Sequence, residues 1–211
     1  MSTIYRLHLA ETPKGNLKYG WLRSLIGPPS FLDLERRIVQ NPGESAQSYW
    51  PNDFQVEYVY KNKKRGDLAT AGPYLILSTR AADVLRDLLE PNGEFLPVVF
   101  PENPDVALFH PTTALDALDK EKAELRYMDL EKKKPFKVVR YWFVEEKLGD
   151  VPIFVLAEDA GKIFVADAFV ERVCENQPTG FGFRRLWSPE LGSVRCDRWQ
   201  GPFPASEDIN L

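Results

Sequence analysis

Twice in this chain an apolar run, a small polar residue, an amphipathic helical period, a glycine and a β-rich run follow in the same order. The first instance spans residues 74–98 and the second 163–186, with Gly93 and Gly180 at matching places. This repeat constrains the fold most, because a strand–helix–strand unit buries its apolar faces only by packing helix on sheet. In the first instance residues 74–77 read as a strand, and Ser78 or Thr79 is placed to cap a helix over 79–90. Ala81, Val84, Leu85, Leu88 and Leu89 keep the spacing of one buried stripe. Pro91-Asn92-Gly93 stops that helix, and 95–100 reads as a strand whose Pro97 marks an edge or a bulge. In the second instance 162–165 is a strand and Asp167 is the expected N-cap. Phe169, Val170, Val173 and Cys174 form the stripe, and 181–187 is the closing strand.

Other segments follow the period of two. Residues 4–9 set Tyr5, Leu7 and Leu9 against Arg6 and His8, which places His8 on a polar face. Residues 54–60 put Phe54, Val56, Tyr58 and Tyr60 on one side. Residues 105–110, 136–144 and 151–156 are further strands, the last two joined through a hairpin-like connection containing Gly149. A short helix over 30–39, capped by Ser30, would bury Leu34 and Ile38. The expected fold is α+β, a mixed and largely antiparallel sheet with two or three packed helices and two related β–α–β pieces. The basic, turn-rich stretch 61–67 suggests a boundary. It divides the chain into an N-terminal β-containing region (1–66), an α+β domain (67–203) and a loose tail (204–211).

Composition narrows the chemistry. The 211 residues include two His and two Cys, too few for the common zinc sites or a disulfide scaffold. No metal and no cofactor is expected. At 44% hydrophobic and 27% charged, the chain is not a disordered one. Its net charge of −4 argues against nucleic acid as a general partner. Lys63-Lys64-Arg65 then reads as a solvated turn. Charge is uneven: residues 1–70 carry net +3 and 81–131 net −8. Arg6, His8 and Glu11 interrupt the N-terminus, so it does not read as a signal peptide. No run approaches a membrane span of about 20 residues. The expected location is the cytoplasm, with both thiols reduced.

The ordered set PYLILSTRAADVLRDLL…GEFLPV (73–98), ALDALD (114–119) and KIFVADAFVERVCENQPTGFGFRRLW (162–187) resembles the type-eleven immunity-protein family of bacterial polymorphic toxin systems. The likeness covers roughly residues 55–190. It implies a protein that neutralises a cognate toxin by binding it, with no catalytic residue to carry over. Leu96, Pro97, Phe164, Val165, Asp167, Gly180 and Trp187 match recurring positions, and their expected roles are core, cap and turn.

A tight toxin complex needs a contact surface, and opposed charge speeds encounter. Asp116, Asp119, Glu121 and Glu124 are the expected partner-binding residues, most apt if the toxin is a nuclease with a basic groove. Two other classes stay open. A small hydrolase would use Cys174 or Cys196 with His110, or a carboxylate pair. An adaptor would expose a large apolar patch around Trp21 or Trp199. The sequence does not set the oligomeric state.

Overall fold

The computed structural model describes residues 2–10, 22–24, 31–58, 64–71, 73–101, 104–127, 135–193 and 208–210. In chain order the elements are β1 (Ile4–Leu9), β2 (Leu22–Ser24), α1 (Phe31–Gln40), β3 (Val56–Tyr58), β4 (Leu68–Ala71), β5 (Tyr74–Ser78) and α2 (Thr79–Leu89). There follow β6 (Gly93–Leu96), β7 (Val106–Pro111), β8 (Ala114–Leu115), β9 (Glu124–Tyr127), β10 (Pro135–Arg140) and β11 (Ile153–Leu156). The chain closes with β12 (Phe164–Ala166), α3 (Asp167–Asn176), β13 (Phe181–Ser188), β14 (Gly192–Ser193) and β15 (Asp208–Asn210). The fold is α+β with mixed, largely antiparallel sheets.

The repeat in the sequence is a repeat in topology. One sheet has the order β4-β5-β7-β6, with every neighbour antiparallel. The other contains β11-β12-β1-β13, again antiparallel at each step. In each a strand pair (β4–β5, β11–β12) leads into a helix and then a strand parallel to the one before the helix. An antiparallel strand lies between the two parallel ones. That inserted strand is β7 in the first sheet and β1 in the second. β1 is therefore hydrogen-bonded on both sides by strands from the last third of the chain, with Arg6 opposite both Phe164 and Arg184.

Both faces of each sheet are buried. In β5, Leu75 and Leu77 join an inner core while Tyr74 and Ile76 join an outer one. The inner core holds the two helices against each other. Ala81, Leu85 and Leu89 of α2 meet Phe169, Val170 and Val173 of α3 between Phe109 on one side and Phe181 and Phe183 on the other. Leu34, Ile38, Trp50 and Phe54 cover the outer face of the first sheet, and Tyr141, Phe143 and Leu148 that of the second. Arg172 binds Asp87 with both terminal nitrogens, at 2.7 and 3.0 Å, and donates to the Val84 carbonyl.

A carboxylate ties the halves together. Ser78 caps α2 by accepting from the Ala81 amide, and its hydroxyl donates to Asp67 Oδ1 at 2.7 Å. Asp67 Oδ2 accepts from the Thr179 amide and hydroxyl, at 2.7 and 2.9 Å. Burial alone would raise the Asp67 carboxyl, but these bonds from Thr179 and Ser78 hold it below its ordinary value. The next residue, Gly180, adopts φ +98, and a Cβ there would sit 3.0 Å from the Leu68 carbonyl oxygen.

Several expectations need correcting. Asp167 is not the N-cap of α3. Ala166 holds that position, and the Asp167 carboxylate accepts from the Thr3 amide at 2.6 Å. Residues 136–144 and 151–156 do not form a hairpin: β10 pairs with β9, while β11 pairs with β12 and, in parallel, with β8. The connection at 145–147 is a short 3-10 turn followed by Leu148, which is buried in the outer core, so this segment is spent on covering the sheet. The strand expected at 95–100 is β6, which begins two residues earlier and ends at Leu96; beyond it Val99 makes an isolated bridge to Gln55. In the segment expected to be a loose tail, Asp208–Asn210 pairs with β13. The Ser30 cap lies outside the described residues. Replacing Asp67 by Ala removes three hydrogen bonds, one of them to the helix-cap residue Ser78. The expected outcome is a loss of about 1–3 kcal/mol, read as a lower urea midpoint at unchanged slope.

Candidate functional site

The acidic segment ALDALD is a turn nailed down by its apolar residues. Ala117 and Leu118 are buried in the outer core of the second sheet. Leu118 bridges Phe143, the Val144 amide donates to the Ala117 carbonyl, and the Asp119 amide donates to the Trp142 carbonyl. Of the acids flanking these anchors, Asp116 is exposed and Asp119 is half-buried. Asp119 Oδ1 accepts from the amides of Glu121 and Lys122, both at 3.1 Å, which closes the turn. Glu124 opens β9 and sits opposite Arg140 in β10. The four acids expected to contact a partner are thus brought into one turn and its following strand.

Lysines accompany them. Lys147 reaches Asp116 at 3.1 Å, Lys120 lies 3.8 Å from Asp116 and 2.7 Å from Glu158, and Lys122 is 3.3 Å from Asp119. Lys147 holds the Asp116 carboxyl below its ordinary value. At Asp119 burial pulls upward, but the bonds from Lys122 and Glu121 win and lower it. Glu158 and Lys147 come from distant segments, and no local spacing in the sequence points to either.

Beneath the turn lies a second polar cluster. The Tyr141 hydroxyl donates to Asp159, and Lys162 Nζ reaches the same hydroxyl at 3.0 Å and the same carboxylate at 2.6 Å. The tyrosine ring packs against Phe143 and Phe164. The cluster fastens the 157–162 turn over the outer core.

Among the described residues, Cys174 and His110 are not brought together as a cysteine hydrolase would need. Cys174 packs against the inner core, and burial pushes its thiol upward, away from the thiolate a nucleophile needs. His110, only 1% exposed, meets Tyr74 edge-on, and that ring belongs to the outer face of the first sheet, away from the inner core. Its Nδ1 is 3.0 Å from Glu94 Oε1. Glu94 also accepts from the Ser45 hydroxyl and the Ala46 amide, so the pair pins the loop after α1 to β6. Cys196, Trp21 and Trp199 lie outside the described residues. Among the described residues no group of three or more His, Cys, Asp or Glu could hold a metal ion, and no helix is long and apolar enough to cross a membrane.

This architecture, two related sheet–helix units with a charged turn on one outer face, coincides with a family match. A family model described as "Immunity protein family (Imm11)" covers residues 26–187, from just before α1 to Trp187 in β13. The chain belongs to the Imm11 immunity protein family. No curated protein matches it. The positions expected to recur in the family have packing roles in this Imm11 protein. Leu96, Phe164, Val165 and Trp187 are core residues, the Pro97 carbonyl accepts from Trp50 Nε1, and Gly180 has the positive φ expected of it. The match leaves out β1, yet β1 completes the second sheet of this Imm11 chain.

The His110–Glu94 pair gives the protein an acid sensitivity. Burial pushes the imidazole below its ordinary value and outweighs the opposing pull of Glu94. The unfolded chain takes up a proton near pH 6.5 that the folded chain refuses. Folding stability therefore falls as pH drops through that value. The Glu94 carboxyl, which burial would raise, is held low by His110, Ser45 and Ala46, and its contribution is lost only at lower pH still. The variant His110→Gln should show a flatter dependence of unfolding free energy on pH between about 7 and 5, measured by urea denaturation beside the wild type.

Proposed function

We propose that this protein binds and neutralises a cognate bacterial toxin, acting in the cytoplasm by covering the toxin's working surface and not by catalysis. Membership of the Imm11 family over residues 26–187 carries this reading. The partner surface includes Asp116, Asp119, Glu121 and Glu124. Support comes from their gathering on one turn and the strand that follows it, fixed from below by Ala117, Leu118 and the Trp142 carbonyl. A rigid turn loses little conformational freedom on binding. A few escaped toxin molecules harm a cell, so the complex must be tight. Nanomolar affinity corresponds to about −12 kcal/mol, which usually takes an interface of roughly 1,600 Å² in total. Four carboxylates are too few for that, so they form one sector of the contact.

The decisive experiment takes as candidate toxin the protein that stays on the tagged chain after a high-salt wash, co-expresses the two and scores survival, then measures binding of the two purified proteins. Protection together with a stable complex supports the reading. Growth arrest undiminished by the chain removes it. Charge should act mainly on the association rate. Because Asp119 builds the turn, the clean test is the double reversal Asp116→Lys with Glu121→Lys. Stopped-flow association at low salt should slow by about tenfold, and added salt should shrink the difference.

A further inference from the structure

We propose that the tip of the β13–β14 hairpin, with Leu191 exposed at its apex and Gly192 against Trp142, is the apolar anchor of the toxin-binding surface, and that it docks into an apolar recess ringed by positive charge. This deepens the immunity reading and rests on it. Leu191 is 68% exposed. Among the described residues only one other large hydrophobic, Val99 at 44%, stands out in the same way. A leucine exposed at the end of an ordered hairpin gives up contact with the core for contact with solvent. The hairpin holds it rigidly there. Trp187 pairs with Ser193 and Ser188 with Gly192, and the Leu191 amide donates to the Ser188 hydroxyl at 3.1 Å. Gly192 turns the chain at φ +66.

The tip does not stand alone. The Cβ position at Gly192 is 3.4 Å from the Trp142 ring, so the hairpin lies against that half-buried indole. Lys122 Nζ sits 5.6 Å from the centre of the same ring. Trp142 in turn receives the Asp119 amide on its carbonyl. Three segments, 116–124, 142–150 and 189–192, therefore form one continuous surface. Together they hold eight carboxylates and three lysines, net −5, whereas the whole chain carries −4. The lysines are engaged with Asp116, Asp119 and Glu158. Glu121, Glu146, Asp150 and Glu190 are exposed and meet no cation among the described residues. An aromatic and a leucine within an anionic rim match the anatomy of an interface, apolar centre and polar edge. The charge selects a partner surface of opposite sign.

The test measures binding of the full chain to the purified toxin by calorimetry, with Leu191→Asp and, as control, Val99→Asp. Both side chains are exposed, so both variants should fold. Leu191→Asp should weaken binding by at least about tenfold while Val99→Asp stays within about twofold. If the wild type binds and Leu191→Asp binds equally well, the anchor is elsewhere and the immunity reading stands. If the wild type binds no toxin, the reading fails and the anchor with it. If the chain alone self-associates, Leu191→Asp makes it monomeric and toxin binding is unchanged, the tip is a contact between copies and the proposal is overturned.

Discussion

β5 reads Tyr-Leu-Ile-Leu and β11 reads Ile-Phe-Val-Leu, and every one of these side chains is buried. A strand apolar on both faces needs a cover on each side. That requirement organises the molecule. The inner faces of both sheets close on the same pair of helices, which is why α2 and α3 touch each other as well as their own strands. The outer faces demand further material, and the chain supplies it from segments outside the repeat: α1 with Trp50 and Phe54 on one side, Tyr141, Phe143 and Leu148 on the other. Stacked and edge-on aromatic pairs fill the second outer layer, among them Phe143 with Phe154, Phe164 and Trp187.

The outer layers are also where partner contacts can arise. The sheets are covered on both faces, so their apolar surfaces are committed to folding. The segments that cover them end in turns, and the turns carry the charge. ALDALD shows the division within six residues: Ala117 and Leu118 go down into the core, Asp116 goes up to solvent and lysine, and the half-buried Asp119 closes the turn. Function on loops held by a rigid frame is the usual arrangement for a binding protein.

The two strand–helix–strand pieces were legible because period and punctuation are local. The stripe at Ala81, Leu85 and Leu89, the cap at Ser78 and the positive φ at Gly180 each depend on a few neighbouring residues. Ala82 joined the buried face unannounced, because a small residue leaves little trace in a hydrophobic pattern. Strand partners were not legible. Residues 136–144 and 151–156 are close in sequence and both β-rich, so a hairpin was the natural reading. The competing partners, β9 and β8, are short and weakly patterned, and the parallel pairing of β8 with β11 has no local mark. Asp167 opens a helix as a capping residue would, yet its carboxylate is taken by Thr3, 164 positions away.

From the sequence alone came the α+β class, the two units, the shortage of His and Cys for metal or triad chemistry, and the acidic character of the middle of the chain. All of these follow from composition or from spacing within about ten residues. The tertiary structure decided the rest. It placed β1 inside the sheet of the last third, packed Cys174 of α3 against the inner core shared with α2, and laid Gly192, the neighbour of Leu191, against Trp142, whose carbonyl holds the 116–124 turn. Each joins segments far apart along the chain, and their meeting is chosen by burial of the whole and not by any pattern in the parts.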